Sequence, residues 1–166
     1  MRDPEPDEMA AKTPPHDLGR PAAAHAPVPE PPPLFQRPAK VRILLVEDDP
    51  ELRRLLASSL HADGYEVVEA GTGTEGVVSV YDMWRSGACG RPIDLIVSDI
   101  RMPGWSGLEL LDVVRRRRLA TPVMLMTAFG APETHAEAVR LGAAAVLDKP
   151  FPLEDFRARV ATFVRP

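Results

Sequence analysis

From residue 41 onward, five short apolar runs alternate with stretches in which apolar residues recur every three or four positions. The first run, residues 41–46, is broken only by Arg42 and has the length of a buried strand. Asp49-Pro50 then supplies a helix cap and a first helical residue. Leu52, Leu55, Leu56 and Leu60 follow at helical spacing, and Gly64 ends the helix. Residues 66–69 predict a second strand, and residues 73–84 a second helix with Val77, Val78 and Tyr81 on one side and Trp84 helping to seat it. A loop over residues 87–92 leads to a third strand at residues 93–98. Leu108, Leu111 and Val114, with Leu110 beside them, give a third helix its apolar side. Pro122 opens a fourth strand at residues 123–126, and Pro132 opens a fourth helix that ends at Gly142. Residues 143–147 predict a fifth strand, and Leu153, Phe156, Val160 and Phe163 line a last helix.

Short apolar strands alternating with helices predict an α/β fold, a five-stranded parallel sheet covered by helices on both faces. Right-handed crossovers would then bring all five strand-to-helix loops to one edge of the sheet. In open sheets of this kind, ligands bind outside the carboxyl ends of the strands.

Composition changes the picture at the N-terminus. Of the 19 prolines in this 166-residue chain, 11 fall in residues 1–40. Residues 1–39 are therefore expected to form a disordered proline-rich extension, poor in the apolar surface needed to offset ordering entropy. Residues 40–166 carry the fold. The net charge of −4 gives no support for a nucleic-acid surface. The one basic run, residues 115–118, is expected to be a solvated helix end. Cys89 is the single cysteine, which excludes an internal disulfide, and it is read as incidental. No apolar stretch has the length of a membrane span, so no membrane insertion and a cytoplasmic location are expected.

The chemistry concentrates where the strands end. Glu47 and Asp48 follow the first, Asp99 the third, Thr127 the fourth, and Lys149-Pro150 the fifth. Three acids, a hydroxyl and an amine at one edge predict a Mg²⁺-assisted phosphoryl-acceptor site. Mg²⁺ takes about six oxygen ligands, usually including one or two carboxylates. Asp48 and Asp99 are the candidate direct ligands, Glu47 would act through water, and the Arg101 carbonyl would complete the protein's share. Acids this close repel one another, so at least one raised pKa is expected. Asp99 needs no deprotonation to act as a nucleophile. Lys149, Thr127 and the Ala128 N–H would meet the phosphoryl oxygens. Pro150 is expected to make a cis bond with Lys149. Trp105 is expected to pack locally, and Met102, Met124 and Met126 to fill the core.

Residues 43–50, Ile-Leu-Leu-Val-Glu-Asp-Asp-Pro, with Ser98-Asp99-Ile100-Arg101-Met102-Pro103-Gly104, Met126-Thr127-Ala128 and Lys149-Pro150-Phe151, closely resemble the receiver domain of bacterial two-component response regulators. The separations agree as well: 51 residues from Asp48 to Asp99, 28 on to Thr127 and 22 on to Lys149. The resemblance implies a flavodoxin-like (βα)5 fold and phosphorylation of Asp99 by a histidine kinase or histidine phosphotransfer protein. It implies Mg²⁺ at Glu47 and Asp48, phosphoryl contacts from Thr127 and Lys149, and an unknown downstream protein reading residues 132–163.

Two departures stand out. Val146 occupies the position, three before the lysine, where the family often has an aromatic that swings inward. The sequence also stops just after the last helix, which is read as a stand-alone receiver with no nucleic-acid output; the oligomeric state is not legible. Arg101 and Phe129 flank the site and are candidates for setting the acyl-phosphate lifetime. Two rivals are a Mg²⁺-dependent phosphohydrolase with Asp99 as nucleophile and a receiver-like interaction module that is never phosphorylated. The first is disfavoured by Arg101, which stands where such enzymes need a second acid. The second is disfavoured by retention of all five site residues.

Overall fold

The structure is a computed structural model that describes residues 40–86, 91–128 and 130–165. The expected extension over residues 1–39, together with Cys89 and Phe129, lies outside the described residues. Ten elements alternate in chain order: β1 (Arg42–Val46), α1 (Pro50–Ala62), β2 (Glu66–Ala70), α2 (Gly73–Ser86), β3 (Leu95–Asp99), α3 (Gly107–Arg116), β4 (Val123–Thr127), α4 (Pro132–Arg140), β5 (Ala145–Asp148) and α5 (Leu153–Phe163). The five strands form one parallel sheet in the order β2-β1-β3-β4-β5.

Alternation along each strand divides the core in two. Leu44, Val46, Ile96, Val123 and Leu125 face a cluster with Val77 and Val80 of α2, Leu110, Leu111 and Val114 of α3, and Ala138 of α4. Ile43, Leu45, Leu95, Val97, Met124 and Met126 face the other way, against Leu56, Ala57 and Leu60 of α1 and Phe156 and Val160 of α5. Because both faces are covered, the central strands are apolar almost throughout. This is why they appear in the sequence as runs and not as alternations.

Local signals place the helices. Asp49 Oδ1 accepts from the Glu51 and Leu52 N–H groups at 2.8 and 3.2 Å, and Pro50 opens α1. Gly64 follows α1 with φ +93°, a conformation that favours glycine. Ser106 and Glu109 form a reciprocal capping box at the start of α3. Its Ser-x-x-Glu signature stands in the sequence at residues 106–109.

The structure corrects several expectations. Leu55 and Val78 point outward, and Ala57 and Val80 take the expected core positions. Each apolar stripe is rotated by part of a turn from the one read off the leucines and valines, with Ala57 completing the buried face of α1 and Val80 that of α2. The third strand starts at Leu95, since the Asp94 carboxylate caps the chain by accepting the Arg42 N–H at 2.7 Å. The basic run is not simply solvated. Arg115 Nη1 donates to the carbonyls of Leu119 (3.1 Å) and Thr121 (3.0 Å), and its Nε and Nη2 donate to Gly142 (3.3 and 2.9 Å). Arg117 stacks over Tyr81 and Trp84, 4.6 and 4.3 Å from their ring centroids, so Trp84 serves the surface contact of α2 with α3 more than the core. Trp105 is partly exposed, and its backbone and β-carbon lie against Gly73 at the start of α2.

Leu56→Ala should lower unfolding free energy by about 2–5 kcal/mol, the usual range for truncating a fully buried leucine. Its neighbour Leu55→Ala should change it by less than about 0.5 kcal/mol, as expected for an exposed position. Urea denaturation of both variants checks the rotated stripe directly.

Candidate functional site

The carboxyl ends of β1, β3, β4 and β5 converge at one edge. Val46 pairs with Ser98 in register, so Glu47 and Asp48, just beyond β1, stand beside Asp99, the last residue of β3. Glu47 and Asp99 are buried, and Asp48 is the most open of the three. One carboxylate oxygen from each lies within 4.8 Å of the others. Hard oxygen donors gathered this closely match the donor set Mg²⁺ prefers.

Lys149 holds the cluster together. Its Nζ donates to Asp99 Oδ2 at 2.7 Å and to Glu47 Oε2 at 2.8 Å. The Lys149–Pro150 peptide is cis, as expected. The Lys149 N–H donates to the Thr127 carbonyl at 2.7 Å, which ties the lysine's backbone to the end of β4. Thr127 is fully buried, and Ala128 beyond it is exposed. Arg101 enters the site through its backbone: its N–H donates to Asp99 Oδ1 at 3.1 Å. Both Asp99 oxygens therefore have donors, and the carboxylate is fixed in orientation.

Two features behind Asp99 went unread in the sequence. Ser98 Oγ donates to the Asp99 carbonyl at 2.9 Å. A β-carbon on Gly107 would lie 2.3 Å from that same carbonyl oxygen, so only glycine lets α3 begin so close to the acid. Asp148, next to Lys149, accepts from His135 Nε2 at 2.8 Å and links β5 to α4. That pair is separated by 13 residues, and no local pattern announces it.

Burial sets the charge states more than repulsion does. Burial raises the Glu47 carboxyl above its ordinary value and outweighs the lowering by the Lys149 hydrogen bond and charge; the charge of Asp99 adds a smaller rise. The expected raised pKa is present, with desolvation as its main cause. Burial alone would lower the Lys149 amine, but the hydrogen bonds and charges of Asp99 and Glu47 together hold it above the usual lysine range. The folded protein thus binds the Glu47 proton more tightly than the unfolded chain does. The contribution of Glu47 to stability is greatest below the ordinary glutamate value of 4.5 and declines as pH rises from there through the folded value. Without metal, Glu47→Gln should therefore be more stable than the wild type near neutral pH, and this advantage should shrink at pH values below about 4.5. Denaturation in chelator at about pH 4 and pH 7 checks both signs.

Comparison with known proteins gives a consistent result. The family model described as a response regulator receiver domain matches residues 43–161. The transcriptional activator protein PfeR of Pseudomonas aeruginosa is 38% identical over 152 residues, which cover 87% of this chain and 47% of that protein. The transcriptional regulatory protein TcrA of Mycobacterium tuberculosis is 36% identical over 129 residues, 78% of this chain and 48% of that protein. The chain thus spans about half the length of these curated relatives. Among solved structures, the Vibrio cholerae chemotaxis protein CheY4 matches with TM-score 0.66 and 27% identity, covering 76% of this chain and 100% of that one. The non-phosphorylated HemR receiver domain from Leptospira biflexa matches with TM-score 0.64 and 32% identity, covering 76% and 98% respectively.

Proposed function

The chain belongs to the response regulator receiver domain family, and from that premise we propose that Asp99 is its phosphoryl acceptor. The donor is a histidine kinase or a histidine phosphotransfer protein, and the transfer depends on Mg²⁺. The observation that carries this reading is Lys149 Nζ, within 2.8 Å of both Glu47 and Asp99 in a cluster that also gathers Asp48.

In the transfer, an Asp99 carboxylate oxygen forms a bond to phosphorus. The P–N bond of the donor phosphohistidine breaks, and its electron pair stays on the departing imidazole nitrogen. Glu47, Asp48, Asp99 and the Arg101 carbonyl would hold Mg²⁺, which offsets charge on the phosphoryl oxygens when bound. Lys149 already faces Asp99 Oδ2, and its amine is positioned to exchange that contact for a phosphoryl oxygen. The Thr127 hydroxyl and the Ala128 N–H take another. Since the Lys149 N–H is bonded to the Thr127 carbonyl, movement at either residue pulls on the other. That strain passes to residues 132–163, the face proposed for a downstream protein. Val146, half-buried on β5 opposite Leu125, has no aromatic ring to swing, so the coupling runs through backbone and polar links.

The transcriptional roles in the relatives' names belong to proteins of which this chain spans about half. Turnover as a phosphohydrolase is disfavoured because Arg101, not an acid, stands two residues beyond Asp99.

Incubation with Mg²⁺ and a small phosphoryl donor should add one phosphoryl group by intact-mass spectrometry, and none to Asp99→Asn. Equal labelling of that variant overturns the assignment. By calorimetry, Asp48→Ala should abolish most Mg²⁺ binding and Glu47→Ala should weaken it less, because a direct ligand counts for more than one acting through water.

A further inference from the structure

The Glu47 carbonyl sits where the sheet stops supplying donors. The Glu47 N–H still donates to the Ala70 carbonyl at 3.1 Å, which extends the β1–β2 ladder by one rung. Just beyond, the Gly71 N–H has turned away and donates to Glu75 Oε2 at 2.7 Å. Glu47 is 1% exposed, and an unpaired backbone acceptor at that depth carries its full desolvation cost. Arg53 fills the gap: its Nη1 donates to the Glu47 carbonyl at 2.6 Å.

The guanidinium comes from a well-anchored place. The Arg53 N–H bonds the Asp49 carbonyl at 2.9 Å, and Asp49 caps the same helix turn. Arg53 Nε stands 3.6 Å from Glu69 Oε2, a looser contact at a more exposed carboxylate. A β-carbon at position 71 would lie 3.3 Å from Arg53 Nη1, so the guanidinium leaves little room there for anything larger than glycine.

We propose that Arg53 is the residue that positions Asp48 for its divalent cation. The carbonyl it binds belongs to the peptide unit joining Glu47 to Asp48. Peptide planarity means that fixing this oxygen fixes the plane from which the Asp48 α-carbon departs. The proposal rests on the reading that Glu47, Asp48 and Asp99 hold Mg²⁺.

Charge and position make opposite demands here. A guanidinium acting by charge alone repels a second cation, so its removal tightens Mg²⁺ binding. A guanidinium acting by position loosens Mg²⁺ binding when lost, because the small ion requires near-octahedral ligand placement. The sign of the change therefore separates the two.

The test is Mg²⁺ calorimetry on the full chain and on Arg53→Met, Arg53→Lys and Glu69→Gln, each with a thermal melt and a metal-free amide NMR spectrum. Arg53→Met should weaken Mg²⁺ by about tenfold, the lower end of the loss seen when a group orienting a metal ligand is removed. Its Asp48 amide resonance should move before any metal is added. Arg53→Lys should recover part of the affinity, because an amine can still donate to the carbonyl. Glu69→Gln should stay within about twofold of the wild type, as its exposed contact contributes little. Unchanged or tighter binding by a folded Arg53→Met overturns the proposal. Should that variant fail to fold, Arg53→Lys decides: weaker binding with a moved Asp48 amide supports it, and wild-type or tighter binding overturns it. A wild type that binds no Mg²⁺ overturns the metal reading and this proposal with it. A wild type that binds Mg²⁺ and is indifferent to Arg53 overturns this proposal alone.

Discussion

One amine makes the acidic edge of this sheet tolerable. Glu47 and Asp99 are both buried, and two carboxylates out of water beside each other are unfavourable twice over, through lost hydration and through repulsion. Lys149 answers both by donating to each. In the strand order β2-β1-β3-β4-β5, it does so from the far edge of the sheet, reaching past β4 to the ends of β3 and β1. The bond from its own N–H to the Thr127 carbonyl makes β4 part of the same arrangement. The ends of four strands are thus joined through one residue. Any group that competes for the amine alters the conditions at all four.

The hydrophobic core makes that reach possible. Two separate clusters, one on each face, hold the strands in a fixed parallel register. Close approaches then finish the edge. Gly107 lets α3 begin against the Asp99 carbonyl, and Ser106 with Glu109 secures the start of that helix. The acid is held from behind by backbone and from the front by Lys149 and the Arg101 N–H.

Much of this was legible in the sequence because it depends on short-range pattern. Runs of four to six mostly apolar residues mark the strands, Asp49-Pro50 marks a helix start, and Gly64 marks a helix end. The acids, Thr127 and Lys149 were legible because each stands one or two residues past an apolar run, and the topology does the rest. What stayed hidden depends on three-dimensional neighbours. Leu55 and Val78 are apolar residues at positions the sheet does not cover, and composition alone cannot tell them from Leu56 and Val80. Burial of Glu47 was likewise unreadable, although it does more to its carboxyl than the neighbouring acids do. Arg115 and Arg117 looked like solvated charge because their partners, the Gly142 carbonyl and the Tyr81 ring, lie 27 and 36 residues away.

Arg115 also gives the domain an uneven mechanical character. Its guanidinium grips the carbonyls of Leu119 and Thr121 at the entry to β4 and that of Gly142 just past the end of α4. The far end of α4 is therefore clamped to the base of the sheet by three carbonyl contacts, while its near end is held to β5 by the more exposed His135–Asp148 pair. A rod held firmly at one end and by an exposed pair at the other turns about the firm end when the exposed pair yields. Displacement along α4 would then be graded, largest at the turn carrying His135 and vanishing toward Arg140. A protein that docks along this helix would sense an angle and not a translation.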